Sequence, residues 1–373
     1  MKSSFRLGRI FGFEIGIHLS WLFIFAFLTW TLAVGYFPLE TVLPGQAPLA
    51  YWLLGAISSL SLFASVLAHE IGHSIVARRN GIPVESITLF LFGGVSNLTK
   101  EADHPGAEFK MAITGPLVSF SLSTIFFTMY FAGGQALNAF SAVIIYLAQI
   151  NLILGAFNLL PGFPLDGGRV FRASIWYATK DYLKATKIAS GAGQVIAYIF
   201  IFGGIALAFI IGIGGLWLAL IGWFLASAAT ATYQQTVFGR VLKGVKVRDI
   251  AKTSVITASA DLTIEQAMNK MLTGSQRALP IMQGEELKGL VTLTDVKKVP
   301  KESWPYENIK TIMKTADQVQ TISLEEELSK ALELMQKGDY NQLPVMQEDK
   351  FYGLISRSDL LQFIQVKLEL SSG

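Results

Sequence analysis

The sequence predicts a polytopic α-helical membrane domain of about six spans with one short β-hairpin, followed by a cytosolic α/β domain built of two repeats. Three observations lead there. The 373 residues are 52% hydrophobic, with a mean hydropathy of +0.47, as expected of a chain with several apolar spans. Charge is unevenly divided: residues 1–237 hold 12 Lys and Arg and 9 Asp and Glu, whereas residues 238–373 hold 18 of each. The second part also repeats itself. The predicted boundaries are therefore 1–237 for the membrane domain, 238–304 for the first repeat and 305–373 for the second. With no cysteine, disulfides and thiolate ligands are excluded, and any metal must be held by His and carboxylate. No basic stripe with interleaved aromatics is present, which argues against nucleic acid as a partner.

Taken in order, Lys2, Arg6 and Arg9 precede an apolar run from about Ile17 to Phe37. The run is too long for a signal-peptide core and no small-residue cleavage site follows, so it reads as a retained first helix. His18 at its start reads as an interfacial anchor, with a ligand role as the alternative. A loop without Lys or Arg leads to a second helix, about Tyr51 to Ala77, closed by Arg78-Arg79 and stopped by Asn80-Gly81-Ile82-Pro83. Val84 to Leu98, rich in β-branched and aromatic residues around Gly93-Gly94, reads as a hairpin. The third helix, about Phe109 to Phe131, contains Gly115-Pro116, the mark of a kink or a close helix contact.

A fourth helix, about Ala139 to Leu160, runs into Asn158-Leu159-Leu160-Pro161-Gly162-Phe163-Pro164-Leu165-Asp166-Gly167-Gly168-Arg169. Its prolines and glycines break the helix and leave an acid among apolar neighbours. Arg172, Lys180, Lys184 and Lys187 follow on an amphipathic segment expected at the membrane surface. Two Gly-rich apolar helices complete this half, about Ser190 to Ile211 and Gly215 to Thr232. All 12 basic residues of the half precede the first or third helix or follow the second or fourth. The positive-inside rule places that side, with the N-terminus and the soluble domain, in the cytoplasm of a multi-pass cell-membrane protein.

The chemistry concentrates in the second helix, where His69-Glu70-x-x-His73 stands inside an apolar run. Residues four apart share a helix face, so two imidazoles point the same way, a spacing that suits one Zn²⁺ with the intervening Glu as a base. The bland reading is a chance match on a solvated helix. Against it, ionisable groups at membrane depth are costly and by default functional. A hydrolytic zinc site needs a third protein ligand and one open position. Asp166 is the best third: it donates oxygen, is expected at the same depth, and is held by broken helix, which is tolerated there only in protein or a wet cavity. Asn158, on the last turn of the fourth helix, reads either as a donor to an oxyanion or as a helix C-terminal cap.

These paired motifs, His69-Glu70-x-x-His73 in one span and Asn158-x-x-Pro161-x-x-Pro164-Leu165-Asp166-Gly167-Gly168 ending another, resemble the site-2 protease family of intramembrane zinc metalloproteases over about Leu7 to Val237. The resemblance implies one Zn²⁺ per chain on His69, His73 and Asp166, Glu70 as base, and Asn158 near the scissile carbonyl. It implies as substrate a membrane-bound regulatory protein, cut within or near its transmembrane segment in the lipid bilayer. The absence of a PDZ domain and the C-terminal repeat look like the branch containing the sporulation protease that cleaves a pro-sigma factor.

In the soluble part, Arg277-Ala278-Leu279-Pro280-Ile281-Met282 matches Asn341-Gln342-Leu343-Pro344-Val345-Met346, and Gly289-Leu290-Val291-Thr292-Leu293-Thr294-Asp295 matches Gly353-Leu354-Ile355-Ser356-Arg357-Ser358-Asp359. The pair resembles two cystathionine-β-synthase (CBS) domains. That resemblance implies an adenine nucleotide, ATP, ADP or AMP, contacted by Thr292 and Asp295 and by Ser356 and Asp359, and a homo-oligomer through the pair. The alternative is that these four only cap turns and helices. A competing function is a CBS-regulated ion transporter or channel, with His and Asp lining an ion path. Glu70 separates the two, since a transporter has no need of an acid inside a His-x-x-x-His pair.

Overall fold

The computed structural model describes residues 4–91, 93–98, 100–134, 138–212 and 214–371. Two compact units result, Met1–Gln234 and Gln235–Gly373. Among the described residues, five helices are long and apolar enough to cross a membrane: α2 (Pro48–Arg79), α3 (Pro105–Ala132), α4 (Ala139–Asn158), α6 (Tyr182–Ile211) and α7 (Gly214–Leu242). A shorter apolar helix precedes them: α1 (Ser20–Thr31) runs on as a π-helical turn, Leu32–Tyr36. The expected amphipathic segment divides: Arg172 is on α5 (Asp166–Thr179) and Lys180 follows its end, whereas Lys184 and Lys187 lie in the first turns of α6. The chain is thus a multi-pass membrane protein whose residues after α7 lie outside the spanning helices. The last span, expected to end near Thr232, continues without a break to Leu242.

Sequence reading of the N-terminus missed two strands. Phe5–Ile10 (β1) and Phe13–Ile17 (β2) form an antiparallel hairpin, and β2 pairs in parallel with β3 (Val84–Phe90). The expected hairpin of β3 and β4 (Gly93–Leu98) then completes a four-stranded sheet in the order β1-β2-β3-β4. The run-up to the first span carries Phe, Ile and two basic residues, a composition equally suited to a membrane approach, so only the long-range partner reveals the strand.

Helix α2 positions everything around it by its angular rows, at about 100° per residue. Leu67, Ile71 and Ile75 form one row, and Phe13, Ile15 and Ile87 of the sheet pack on it. Ser65, His69 and His73 lie on the opposite side and are buried. Glu70 and Ser74 fall between the two rows, facing the sheet edge at β4.

In the C-terminal unit each repeat carries a hairpin, and each hairpin pairs with a third short strand. The first has β5 (Ala278–Gln283) and β6 (Glu286–Thr292), joined by β7 (Lys314–Thr315) from beyond the 304/305 boundary, and the second has β9 (Gln342–Gln347) and β10 (Lys350–Ser356), joined by its own β8 (Ile322–Ser323). Helices α8 (Ile264–Thr273) and α10 (Leu328–Lys337) lay matching apolar stripes, Ile264-Ala267-Met271 and Leu328-Ala331-Met335, into the interior. Each fully buried Leu, Ile or Met contributes about 1.5–3 kcal/mol. Ala278, Leu290 and Leu354 join both repeats in one core, so neither buries its apolar face alone. Short helix α9 (Leu293–Val296) follows β6, and α11 (Arg357–Ser371) follows β10.

Candidate active site

His69 and His73 come from the middle of α2, and Asp166 is the first residue of α5. His69 Nε2 lies 3.0 Å and His73 Nε2 3.1 Å from Asp166 Oδ2, and the two Nε2 atoms are 3.2 Å apart. A tetrahedral ion with bonds of about 2.0–2.1 Å would set its donors roughly 3.3 Å apart, so the triangle fits one small cation. Each ring is held from behind by α3. His73 Nδ1–H donates to the Met111 carbonyl at 2.7 Å, which leaves Nε2 as a lone pair facing the other donors. His69 Nδ1 meets the Ser119 hydroxyl at 2.9 Å. Two ring nitrogens and a carboxylate crowded together without a cation would repel, so this donor set fits a metal. His18 takes no part: its Nδ1 hydrogen-bonds Ser20 Oγ at 2.8 Å.

Close approach of α3 requires glycine. A Cβ on Gly115 would lie 2.2 Å from His73 Nε2 and 2.5 Å from His69 Nε2. The Gly115-Pro116 pair, read from sequence as a kink or contact, is where α3 backs onto the histidines.

Glu70 sits beside this triangle and is tied to the sheet. Ser96 on β4 donates to Glu70 Oε2 at 2.7 Å. Its one proton is spent there, so Ser74 Oγ–H donates to Ser96 Oγ, at 3.1 Å. Gly94 on the same strand brings backbone against the acid, a Cβ there falling 2.5 Å from Glu70 Cγ. A cavity of about 430 Å³ opens at this point, lined by His69, Glu70, His73, Asp166, Asn158 and the β4 edge among others. Asn158, the last residue of α4, is half-buried on its wall. Sequence reasoning missed Ser96, Ser119 and the Met111 carbonyl, because hydroxyls and backbone carry no spacing signal.

Arg172 corrects an expectation. Read as a surface cation, it is 5% exposed and ion-paired with Glu108 of α3. Lys180, by contrast, caps the end of α5 in the open.

In the C-terminal unit, Thr292 and Asp295 form a capping box at the start of α9, and Ser356 and Asp359 make the same bonds before α11. Both acids are buried, and each reaches a lysine: Lys298 at 3.2 Å for Asp295, Lys252 at 2.6 Å for Asp359. Burial alone would raise the Asp295 pKa; hydrogen bonds from Thr292 and Lys298 outweigh it and hold the carboxyl below its ordinary range. A cavity of about 260 Å³ is lined by Thr292 and Asp295 together with Arg277, Lys297, Lys298 and Lys314. Ser356 and Asp359 are not on its wall.

The model of peptidase family M50 matches residues 57–143 and 129–200, a stretch that contains both histidines, Glu70 and Asp166. Rip3 of Mycobacterium tuberculosis, a candidate zinc metalloprotease, is 37% identical over 98% of this chain and 94% of its own length. The chain belongs to peptidase family M50. Two further full-length relatives of this M50 chain are the candidate zinc metalloprotease sll0528 of Synechocystis, 34% identical over 98% of this chain and 96% of its own, and zinc metalloprotease MJ0392 of Methanocaldococcus jannaschii, 28% identical over 99% and 98%. A solved site-2 protease from Methanocaldococcus jannaschii aligns over 61% of this chain and 93% of its own, at 31% identity and a TM-score of 0.42. The CBS domain model matches residues 247–302 and 309–366. The M50 chain is therefore an intramembrane zinc metalloprotease by family, fused to a CBS pair.

Proposed function

We propose that this M50 protease hydrolyses a peptide bond within or near a transmembrane segment of a membrane-bound regulatory protein. His69, His73 and Asp166 hold one zinc ion, and Glu70 is the general base. The observation that carries the reading is the placement of Glu70: beside the donor triangle, on the cavity wall, and outside the triangle itself. A zinc ion held there would supply Lewis acidity for the scissile carbonyl and lower the pKa of a bound water to about 7. Glu70 takes the proton of the attacking water and hands it to the leaving nitrogen. Ser96 holds the carboxylate in place for both transfers through its bond to Oε2. Asn158 donates its amide to the oxyanion. A helical substrate hides its carbonyls and must unwind, and the edge strand β4 offers backbone groups with which the extended segment pairs.

The decisive test is a quantitative membrane proteome of cells carrying the wild type or Glu70→Gln. One or a few membrane proteins should accumulate uncut in the variant. Identical proteomes under conditions where the protease is expressed would reject the reading and favour the transporter class.

Regulation belongs to the same proposal. An adenine nucleotide occupies the cavity at Thr292 and Asp295, its phosphates met by Arg277, Lys297 and Lys314, and the CBS pair also mediates self-association. A nucleotide shifts activity only if it binds two states of the protease with different affinity. Calorimetry of the full-length protein with ATP, ADP and AMP should show binding below millimolar concentration, weakened by Asp295→Ala. No heat from any of the three at millimolar concentration would end the claim.

A further inference from the structure

One side chain of α5 ties the loop before Asp166 to two other helices. Arg172, two turns further along α5, lays its guanidinium 4.8 Å over the ring of Phe163, which stands in the loop just before Asp166. It also lies 4.6 Å over the ring of Tyr182, the first residue of α6. Its Nε donates to Glu108 Oε1 at 2.8 Å, and a terminal nitrogen donates to the same oxygen. Nη1 reaches Thr186 Oγ1 at 3.5 Å. Both charges are buried, Arg172 at 5% and Glu108 at 1% exposure, and Glu108 Oε2 has no hydrogen-bond partner among the described residues.

As a source of stability this pair is a poor arrangement, because desolvating two charges offsets most of their attraction. What it does achieve is geometric. Glu108 belongs to α3, the helix that also presents the Met111 carbonyl to His73 and the Ser119 hydroxyl to His69. One helix therefore references all three donor residues, two directly and the third through an ion pair. From this we infer that the Glu108–Arg172 pair is a positioning device for Asp166: it locks the Phe163 loop and α5 to α3 so that the carboxylate meets the two imidazoles at the right separation. This rests on the zinc reading of the site. Outer contacts of this kind typically change metal affinity about 10- to 100-fold.

The test is a double-mutant cycle on zinc affinity, measured by competition with a chromogenic chelator on full-length protein in detergent. Arg172→Ala should weaken zinc about 10- to 100-fold. In the Asp166→Asn background the same substitution should cost less than about twofold, because a residue acting through Asp166 has nothing left to position. Glu108→Met/Arg172→Met removes the pair while filling its space, a replacement that buried ion pairs tolerate. It should give the same loss in zinc affinity and carries the test should Arg172→Ala fail to fold. Equal losses in both backgrounds, or wild-type affinity in a folded variant, would overturn the inference alone. Asp166→Asn binding zinc as tightly as wild type would instead overturn the metal reading on which it rests.

Discussion

Glu70→Gln is expected to abolish cleavage while zinc stays bound. The acid lies outside the donor triangle, so neutralising it removes no ligand. Gln keeps the size of the side chain and can still accept from Ser96, which bonds the wild-type Oε2 at 2.7 Å. What it loses is the ability to take a proton from water and deliver one to the leaving nitrogen. Positioned proton transfer contributes about 10²- to 10⁴-fold, so turnover should fall by at least that range. The measurement pairs cleavage of a transmembrane substrate with metal analysis of the same sample. Turnover within a few-fold of wild type refutes the assignment of Glu70 as base. Loss of zinc along with activity would show instead that Glu70 acts as a ligand.

Gly115→Ala is expected to be nearly as damaging, through one methyl group. The added Cβ would lie 2.2 Å from His73 Nε2 and 2.5 Å from His69 Nε2, inside the space where the donors converge. Neither ring can swing aside freely, since the Met111 carbonyl and the Ser119 hydroxyl hold them from the same helix. Helix propensity runs the other way: Ala is favoured over Gly in a helix interior by about 1 kcal/mol. Overpacking against the held rings costs typically about 1–3 kcal/mol and outweighs it, so the expected result is a folded but less stable protein that binds zinc about 10- to 100-fold more weakly and does not cleave. Wild-type zinc affinity in Gly115→Ala would mean that α3 moves away from the histidines, and that the close approach is not required for the site.

Sequence alone determined the local features of this chain. Apolar runs long enough to span a bilayer, the 3.6-residue period that puts His69 and His73 on one face, the prolines that end α4 before Asp166, and the repeated hairpins of the C-terminal unit are all set by residues near one another along the chain. Two families of contact were decided only in three dimensions. The strands β1 and β2 exist because β3 supplies a parallel partner about seventy residues away, and no local pattern names that partner. The surroundings of the candidate site are likewise non-local. Ser119 and Met111 meet histidines 50 and 38 residues distant, Ser96 meets Glu70 26 residues away, and Glu108 meets Arg172 across 64. Arg172 shows the physical reason most clearly. A cation on an amphipathic helix is ordinarily solvated, and its burial is tolerated only because a carboxylate from another helix and two aromatic rings close around it. The identity of a side chain sets which partners would satisfy it; the packing of distant helices decides which of them it meets.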